Sequence, residues 1–209
     1  MTKATTFSTV IAAITHAHQE LATQASKAVN ISLTLRNWLI GYYLAEYELH
    51  GTDRANYGEK LFANVAEALT QAGVASCGKR QLYVYLGFYQ AYPQIARSLP
   101  AQFRTNVMDT LGNTQKKVRS LTALSQIEPQ KLLGALSYTH FEQLLAIADT
   151  TKRSFYEIEC IQGNWSVREL KRQINSLYYE RSGLSRDPQK LSMAKHWASL
   201  IGRHSGQTI

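Results

Sequence analysis

The chain has 209 residues, with 23 lysine and arginine residues against 15 aspartate and glutamate residues and a net charge of +8. Its hydrophobic content of 44% and charged content of 18% are typical of a globular protein of one or two domains and exclude an intrinsically disordered chain. No apolar run reaches the roughly 18 residues of a membrane helix, and no signal-peptide block opens the chain, so we expect a cytoplasmic protein with no membrane partner.

The first predicted element is one long helix over residues 4–49, with Asn30 as its candidate break point. Apolar residues recur along it with heptad spacing over about six repeats, and such a seam needs a partner helix. The partner is either a helix of the same chain, in a helical hairpin, or a second copy of the protein. Both alternatives stay open on sequence alone. On the second alternative, the dimerisation residues are Leu21, Leu35 and Trp38.

The next two predicted helices form a unit of their own. One runs over about 57–72 and ends at Gly73, and the other starts from a Ser76 cap and stops at Pro93. This succession is typical of a helix-turn-helix unit, in which a short glycine-containing turn joins a helix to a second helix with a basic start. The residues predicted to contact DNA here are Lys79, Arg80 and Tyr83.

Residues 97–135 mix polar side chains with two prolines and are predicted to be a partly helical linker or insertion. Pro129 is expected to open a short helix within them. The linker separates a first lobe, 1–96, from a second helical lobe, 136–209. The first lobe holds seven basic and six acidic residues, so nearly all of the positive excess lies beyond it. A basic half favours a polyanionic partner, with nucleic acid first.

The second lobe is predicted to contain helices near 138–148, 150–162 and 188–203, and a capped helix over 167–182. Ser166 and Glu169 have the spacing of a capping box, and a Gly-Asn turn precedes them. The apolar positions of the capped helix are predicted to form its core face: Val167, Leu170, Ile174 and Leu177. Its basic polar face is predicted to contact DNA: Arg168, Lys171, Arg172 and Asn175.

The sequence contains no recognisable catalytic or metal-binding motif. The histidines show no HxxxH spacing, no glycine-rich phosphate loop occurs, and Cys77 and Cys160 form no CxxC motif. We therefore expect no metal, no cofactor and no enzymatic activity in this chain, and reduced, partly buried thiols. We expect His140 to be a capping or packing residue and Trp165 to pack beside the helix start.

Several runs together resemble a known family. They include Trp38-Leu39-Ile40-Gly41, Phe88-Tyr89-Gln90-Ala91-Tyr92-Pro93 and Asn164-Trp165-Ser166-Val167-Arg168-Glu169-Leu170. Over roughly residues 8–187 the chain resembles the N-terminal domain of YhcG-type proteins, bacterial proteins often associated with mobile elements. In that family the helical domain precedes a C-terminal PD-(D/E)XK nuclease domain, whose catalytic carboxylates and lysine have no counterparts here. The 209 residues therefore correspond either to an isolated N-terminal part or to a stand-alone relative.

The resemblance implies a DNA-targeting or assembly role in a nuclease. Together with the basic second half and the two basic helix starts, it predicts an all-α, DNA-binding domain that is not catalytic by itself. The alternative is a homo-oligomerisation or protein-docking module that makes no direct contact with DNA.

Overall fold

The computed structural model describes residues 6–50, 60–104, 107 and 127–182. Within these ranges every regular element is helical and no strand occurs, which confirms the predicted all-α class. The predicted helix over 188–203 lies outside the described residues. The helices are α1 (Phe7–His50), α2 (Leu61–Gln71), α3 (Lys79–Ala91), a 3-10 helix (Pro93–Ser98), α4 (Pro129–Ala135), α5 (Tyr138–Leu145), α6 (Thr150–Gly163), α7 (Val167–Asn175) and α8 (Tyr178–Arg181).

Helix α1 is continuous over 44 residues, roughly 66 Å, so the candidate break at Asn30 does not form. Every residue over 7–29 is exposed. Asn30 is the first residue of α1 that is partly buried, and its Nδ2 donates a hydrogen bond of 3.3 Å to the carbonyl of Leu136. Beyond that point α1 packs against α3, α4 and α5. One helix therefore has an exposed amino-terminal half and a packed carboxy-terminal half.

The carboxy-terminal half of α1 places Leu35 and Trp38 in the protein core. Trp38 is fully buried, and its indole Nε1 donates a hydrogen bond of 2.9 Å to the carbonyl of Tyr92. For this part of the heptad seam, the partner helices belong to the same chain. Leu35 and Trp38 therefore leave the predicted dimerisation set because their side chains are already covered. Leu21, which is 64% exposed, stays a prediction.

Gly41 allows α1 and α3 to approach each other closely. A Cβ atom at this position would collide with the carbonyl oxygen of Tyr85 on α3. Only glycine leaves room for the neighbouring backbone there. The helices are then held together by aromatic packing, in which the rings of Trp38 and Tyr42 both meet Tyr89 edge to face.

Helices α2 and α3 are joined by a tight turn at Gly73. Gly73 has a φ of 75°, and the amide of Val74 donates to the carbonyl of Leu69 at 2.8 Å. This is a Schellman ending, in which glycine takes the left-handed conformation at low cost. Leu61 and Phe62 of α2 are buried against α3.

One core cluster draws residues from all three predicted segments of the chain. Leu99, Val107 and Leu132, from residues 97–135, are buried in the same cluster as Trp38 and Leu170. Pro129 occupies the first turn of α4, which confirms its predicted place. The division into two lobes and a linker is not tested by this packing alone and stays a prediction.

Candidate nucleic-acid interface

The start of α7 is fixed by local hydrogen bonds. Asn164 ends α6 with a φ of 47°, and the amide of Trp165 donates to the carbonyl of Cys160 at 3.1 Å. Asparagine tolerates this left-handed conformation better than most residues. The hydroxyl of Ser166 then accepts a hydrogen bond of 3.2 Å from the amide of Glu169, so the predicted Ser166 cap is confirmed.

The second half of the predicted capping box does not form. The Oε1 atom of Glu169 accepts hydrogen bonds from Nη2 of Arg172 at 2.8 Å and Nε2 of Gln173 at 2.6 Å. These partners lie one turn further along α7, and they draw the carboxylate away from the helix start. The hydrogen bond from Arg172, followed by that from Gln173, holds the pKa of Glu169 below its usual range.

The basic face of α7 is exposed over its full length. Leu170 is fully buried beneath the helix, whereas the four residues predicted to contact DNA all lie on the exposed surface. Arg168 and Lys171 form no ion pair with any described residue. The exposed side chains are Arg168, Lys171, Arg172 and Asn175.

Helix α7 is shorter than predicted because the chain breaks at Leu177. Leu177 has a φ of 56° and is 54% exposed, so its assignment to the core face is wrong. A leucine in the left-handed region is strained, and the turn it makes redirects the chain into α8. The predicted helix over 167–182 is therefore two helices, with Tyr179 of α8 buried in the core.

The predicted cap of α3 is also wrong. Gly78, not Ser76, is the residue before α3, and no side chain caps the helix. Ser76 has a φ of 63°, and its carbonyl accepts a hydrogen bond of 2.8 Å from the hydroxyl of Tyr85. The backbone of Ser76 is therefore part of the turn between α2 and α3. The side chains predicted to contact DNA at this start, Lys79, Arg80 and Tyr83, are all exposed.

Helix α5 contacts both α3 and α7. On one side, Nε2 of Gln81 donates to the hydroxyl of Tyr138 at 2.8 Å and to Oε1 of Glu142 at 2.9 Å. On the other side, Nε2 of His140 lies 3.0 Å from the carbonyl of Trp165. Gln81 follows Arg80 and Trp165 precedes the Ser166 cap, so α5 fixes both predicted contact regions. Sequence reasoning missed Gln81 and Glu142, since single polar residues on helices carry no recognisable signal.

His140 is a capping residue, as predicted. Its Nδ1 accepts a hydrogen bond of 3.1 Å from the amide of Ser137, which leaves Nε2 as the protonated nitrogen that donates to Trp165. Burial lowers the pKa of His140, and the hydrogen bond to Trp165 opposes that shift. The neutral ring thus links the start of α5 to the start of α7.

A cleft of about 720 Å³ opens between α3, α5 and α6. It brings Arg80 and Tyr83, both predicted from sequence, next to three residues that were not predicted: Gln94, Arg153 and Glu157. The guanidinium of Arg153 donates to the carbonyl of Ile147 at 2.8 and 3.2 Å. No sequence pattern indicates this cleft, because its lining comes from elements far apart along the chain.

The inner wall of the cleft contains a buried carboxylate. Glu157 is 2% exposed, and its Oε1 accepts a hydrogen bond of 2.7 Å from the hydroxyl of Tyr92. Burial, followed by the charge of Glu157, raises the pKa of Tyr92 well above its ordinary value. The tyrosine therefore remains a hydrogen-bond donor to the carboxylate.

Within the described ranges, no three residues among histidine, cysteine, aspartate and glutamate are grouped to hold a metal ion. Cys77 and Cys160 are free, as predicted, and are more fully buried than predicted. Burial raises the pKa of the Cys160 thiol to about 12. A thiol of this kind is a poor nucleophile. No helix in the same ranges has the length and apolar character of a membrane span.

Comparison with known proteins finds relatives of this sequence. The sequence profile of the DUF1016 N-terminal domain matches residues 11–181. "Putative nuclease YhcG" of Escherichia coli (strain K12) is 29% identical over 184 residues, which cover 83% of this chain and 46% of that protein. The chain thus spans about half the length of the curated relative that it matches. No solved structure matches the chain.

Proposed function

The chain belongs to the family of DUF1016 N-terminal domains, and from this premise we propose that it is the DNA-binding and assembly domain of a YhcG-type nuclease. In this proposal the domain positions a C-terminal nuclease domain on DNA in the cytoplasm and performs no catalytic step itself.

The observation that supports DNA binding most strongly is the basic face of α7. Arg168 and Lys171 have no ionic partner among the described residues, and Arg172 has a side chain that is 72% exposed. Leu170 and the Ser166 cap hold the helix in place. Arg172 alone of the three charges pairs with a described residue, Glu169, and an exposed pair of this kind contributes little to stability. Exposed cations on which the fold depends little can neutralise phosphates.

The start of α3 is the second proposed contact. In this proposal α2 and α3, which are joined by the turn at Gly73 and the short segment to Gly78, act as a helix-turn-helix unit. In such units the amino-terminal residues of the second helix reach DNA. Lys79 and Arg80 occupy those positions here and are exposed.

A titration of labelled duplex DNA, about two helical turns or 20 base pairs long, tests the proposal by fluorescence anisotropy. We expect binding at low salt, and a large loss of affinity in the triple variant Arg168→Ala, Lys171→Ala, Arg172→Ala. Its matched control removes the same charge from exposed positions elsewhere: Lys27→Ala, Arg97→Ala, Lys131→Ala.

The two triple variants have the same net charge, so equal losses of affinity would show that only overall charge matters. Absence of wild-type binding at tens of micromolar would refute DNA binding. Unfolding of the first variant would show that one of its side chains is a structural partner. If that variant folds and binds as tightly as the wild type, Lys79 and Arg80 become the leading contacts.

Homo-oligomerisation through the amino-terminal half of α1 is the second candidate function. Residues 7–29 are exposed, and apolar seam residues within them, among them Phe7 at 84%, Ile14 at 60% and Leu21 at 64%, are open to solvent. About 35 Å of helix with this seam is sufficient for several heptads of a two-stranded coiled coil. The proposed partner is the same helix of a second copy.

Light scattering combined with circular dichroism tests this assembly. We expect Ile14→Gln with Leu21→Gln to convert a dimer into a monomer of unchanged helicity. The control pair Val29→Gln and Leu33→Gln also changes exposed apolar residues of α1, but outside the heptad seam, and should leave the dimer intact. A monomeric wild-type protein would refute this second function without affecting the first.

A further inference from the structure

The cleft between α3, α5 and α6 has a feature that packing does not explain. Gly87 lies in the middle of α3, where glycine is the least favourable residue other than proline. A Cβ atom at this position would meet nothing within 4 Å, so no neighbouring element requires a glycine. Gly87 lines the cleft, and the missing side chain leaves that wall open.

The amide of Gln94 is the second observation. The Gln94 side chain lines the cleft and is nine-tenths buried, and its Nε2 atom has no hydrogen-bond partner in the protein. Buried donors are nearly always paired, because an unpaired one loses its bonds to water without replacement. The Nε2 atom itself is enclosed, so a ligand in the cleft meets the amide when its last torsion turns and exchanges nitrogen and oxygen. The amide can present either its nitrogen or its oxygen, so it suits acceptors and donors alike.

Tyr83 provides a rigid aromatic surface at the rim. One face of its ring stacks on Phe62, with centroids 4.0 Å apart and planes 13° from parallel. Tyr83 is nevertheless 49% exposed, so the exposed area belongs to the opposite face and the edges. A ring held on one side and open on the other is a platform on which a planar ligand can stack. Arg80, one turn earlier on α3, lines the same cleft.

We propose that this cleft binds one unpaired nucleotide of a single-stranded nucleic acid. The base stacks on Tyr83 and directs its hydrogen-bonding edge toward Gln94, while Arg80 contacts the phosphate. This inference rests on the proposed DNA-binding function and adds a single-stranded contact to it.

Size and chemistry favour a nucleotide over other small ligands. The cleft volume of about 720 Å³ falls within the range of small-molecule sites and exceeds what one nucleotide needs. Single-stranded segments are recognised by stacking on aromatic side chains and by hydrogen bonds to base edges, with cations along the backbone. The cleft combines all three elements, whereas the basic face of α7 has cations without an exposed aromatic platform.

Filling the cleft tests the proposal. Gly87→Leu places a side chain in the open space, and leucine favours the helix over glycine, so the variant should fold. The matched control is Gly134→Leu on α4, where a Cβ atom also meets nothing within 4 Å but which does not line the cleft. The probe is a fluorescein-labelled single strand of about 12 nucleotides, followed by anisotropy.

We expect Gly87→Leu to weaken single-strand binding by roughly tenfold or more, the size of one base–aromatic stacking interaction, and Gly134→Leu to change it less than about twofold. Tyr83→Leu should weaken it similarly, whereas Tyr83→Phe, which keeps the ring, should not. Single-strand binding that is absent in the wild type, or unchanged in Gly87→Leu, would overturn the cleft proposal.

Duplex DNA, titrated in parallel, separates this proposal from the function on which it rests. If the wild type binds duplex DNA and Gly87→Leu does not weaken single-strand binding, the proposed function stands and the cleft proposal is refuted. If the wild type does not bind duplex DNA and Gly87→Leu loses single-strand binding, the cleft proposal is supported and duplex targeting is refuted. Competition by mononucleotides at millimolar concentration would identify the free nucleotide as a ligand in its own right. Absence of competition, in a protein whose single-strand binding is weakened by Gly87→Leu, would assign the affinity to the strand.

Discussion

The two halves of α1 share one heptad pattern and have opposite environments. Phe7, Ile14 and Leu21 are exposed in the amino-terminal half, whereas Leu35 and Tyr42, on the same seam, are buried in the core. Sequence periodicity states which residues share a face of a helix. It does not state whether the rest of the chain covers that face. The comparison shows that an apolar seam must be assigned to folding or to assembly from packing, residue by residue.

The largest expected effect comes from truncating the seam where it is packed. Trp38→Ala removes a fully buried ring and its hydrogen bond to Tyr92 and should lower the free energy of unfolding by about 3–5 kcal/mol. Ile14→Ala, at the equivalent apolar seam in the exposed half, should change it by less than about 0.5 kcal/mol at monomeric concentrations. Urea denaturation followed by circular dichroism measures both. Equal costs would mean that the exposed half also belongs to the fold.

A smaller effect is expected at Gly41, where the backbones of α1 and α3 approach each other closely. Gly41→Ala forces the carbonyl of Tyr85 to move and should destabilise the protein by about 1–3 kcal/mol or more. Gly134→Ala is the control, since its new Cβ atom lies in open space and alanine favours the helix by up to about 1 kcal/mol. If thermal melts showed Gly41→Ala to be as stable as the wild type, the close approach of α1 and α3 would be wrong.

Acidification should lower the free energy of unfolding through the protonation of His140. Its pKa is lower in the folded chain than in the unfolded chain, mainly because of burial, so the unfolded chain binds more protons below about pH 6.5. The contribution of His140 is therefore fully present at neutral pH, and it is lost as the pH falls from about 6.5 through the lowered pKa. Urea denaturation at a series of pH values measures the slope. His140→Gln should show a shallower dependence in that window, and an identical slope would contradict the burial of a neutral ring.

The helices themselves could be predicted from the sequence because their signals are local. Gly73 ends α2, Pro93 ends α3 and Ser166 caps α7, each through bonds within a few residues. Predictions failed where two local options compete. Glu169 has the spacing for a capping box, yet Arg172 and Gln173 are equally near and take its carboxylate. Leu177 continues an apolar period, yet the chain turns there to bury Tyr179.

The candidate sites were predictable to different extents. Exposed basic residues on α3 and α7 follow from helical periodicity, and all of those predicted lie on the surface. The cleft does not follow, because Gln94, Arg153 and Glu157 join Tyr83 only through the packing of α3, α6 and the 3-10 helix. The linking role of His140 was likewise visible only in part: its place at a helix start is local, but its bond to Trp165 spans 25 residues.

The salt dependence of duplex affinity is the most direct test of the central claim, that the exposed basic face of α7 binds DNA phosphates. For the wild type, log K should fall linearly with log salt concentration, with a slope of about −0.9 for each phosphate contacted. The Arg168→Ala, Lys171→Ala, Arg172→Ala variant should melt like the wild type and show a shallower slope, by about 0.9 for each phosphate that it no longer binds. A slope near zero in the wild type, or an unchanged slope in a folded triple variant, would contradict the claim.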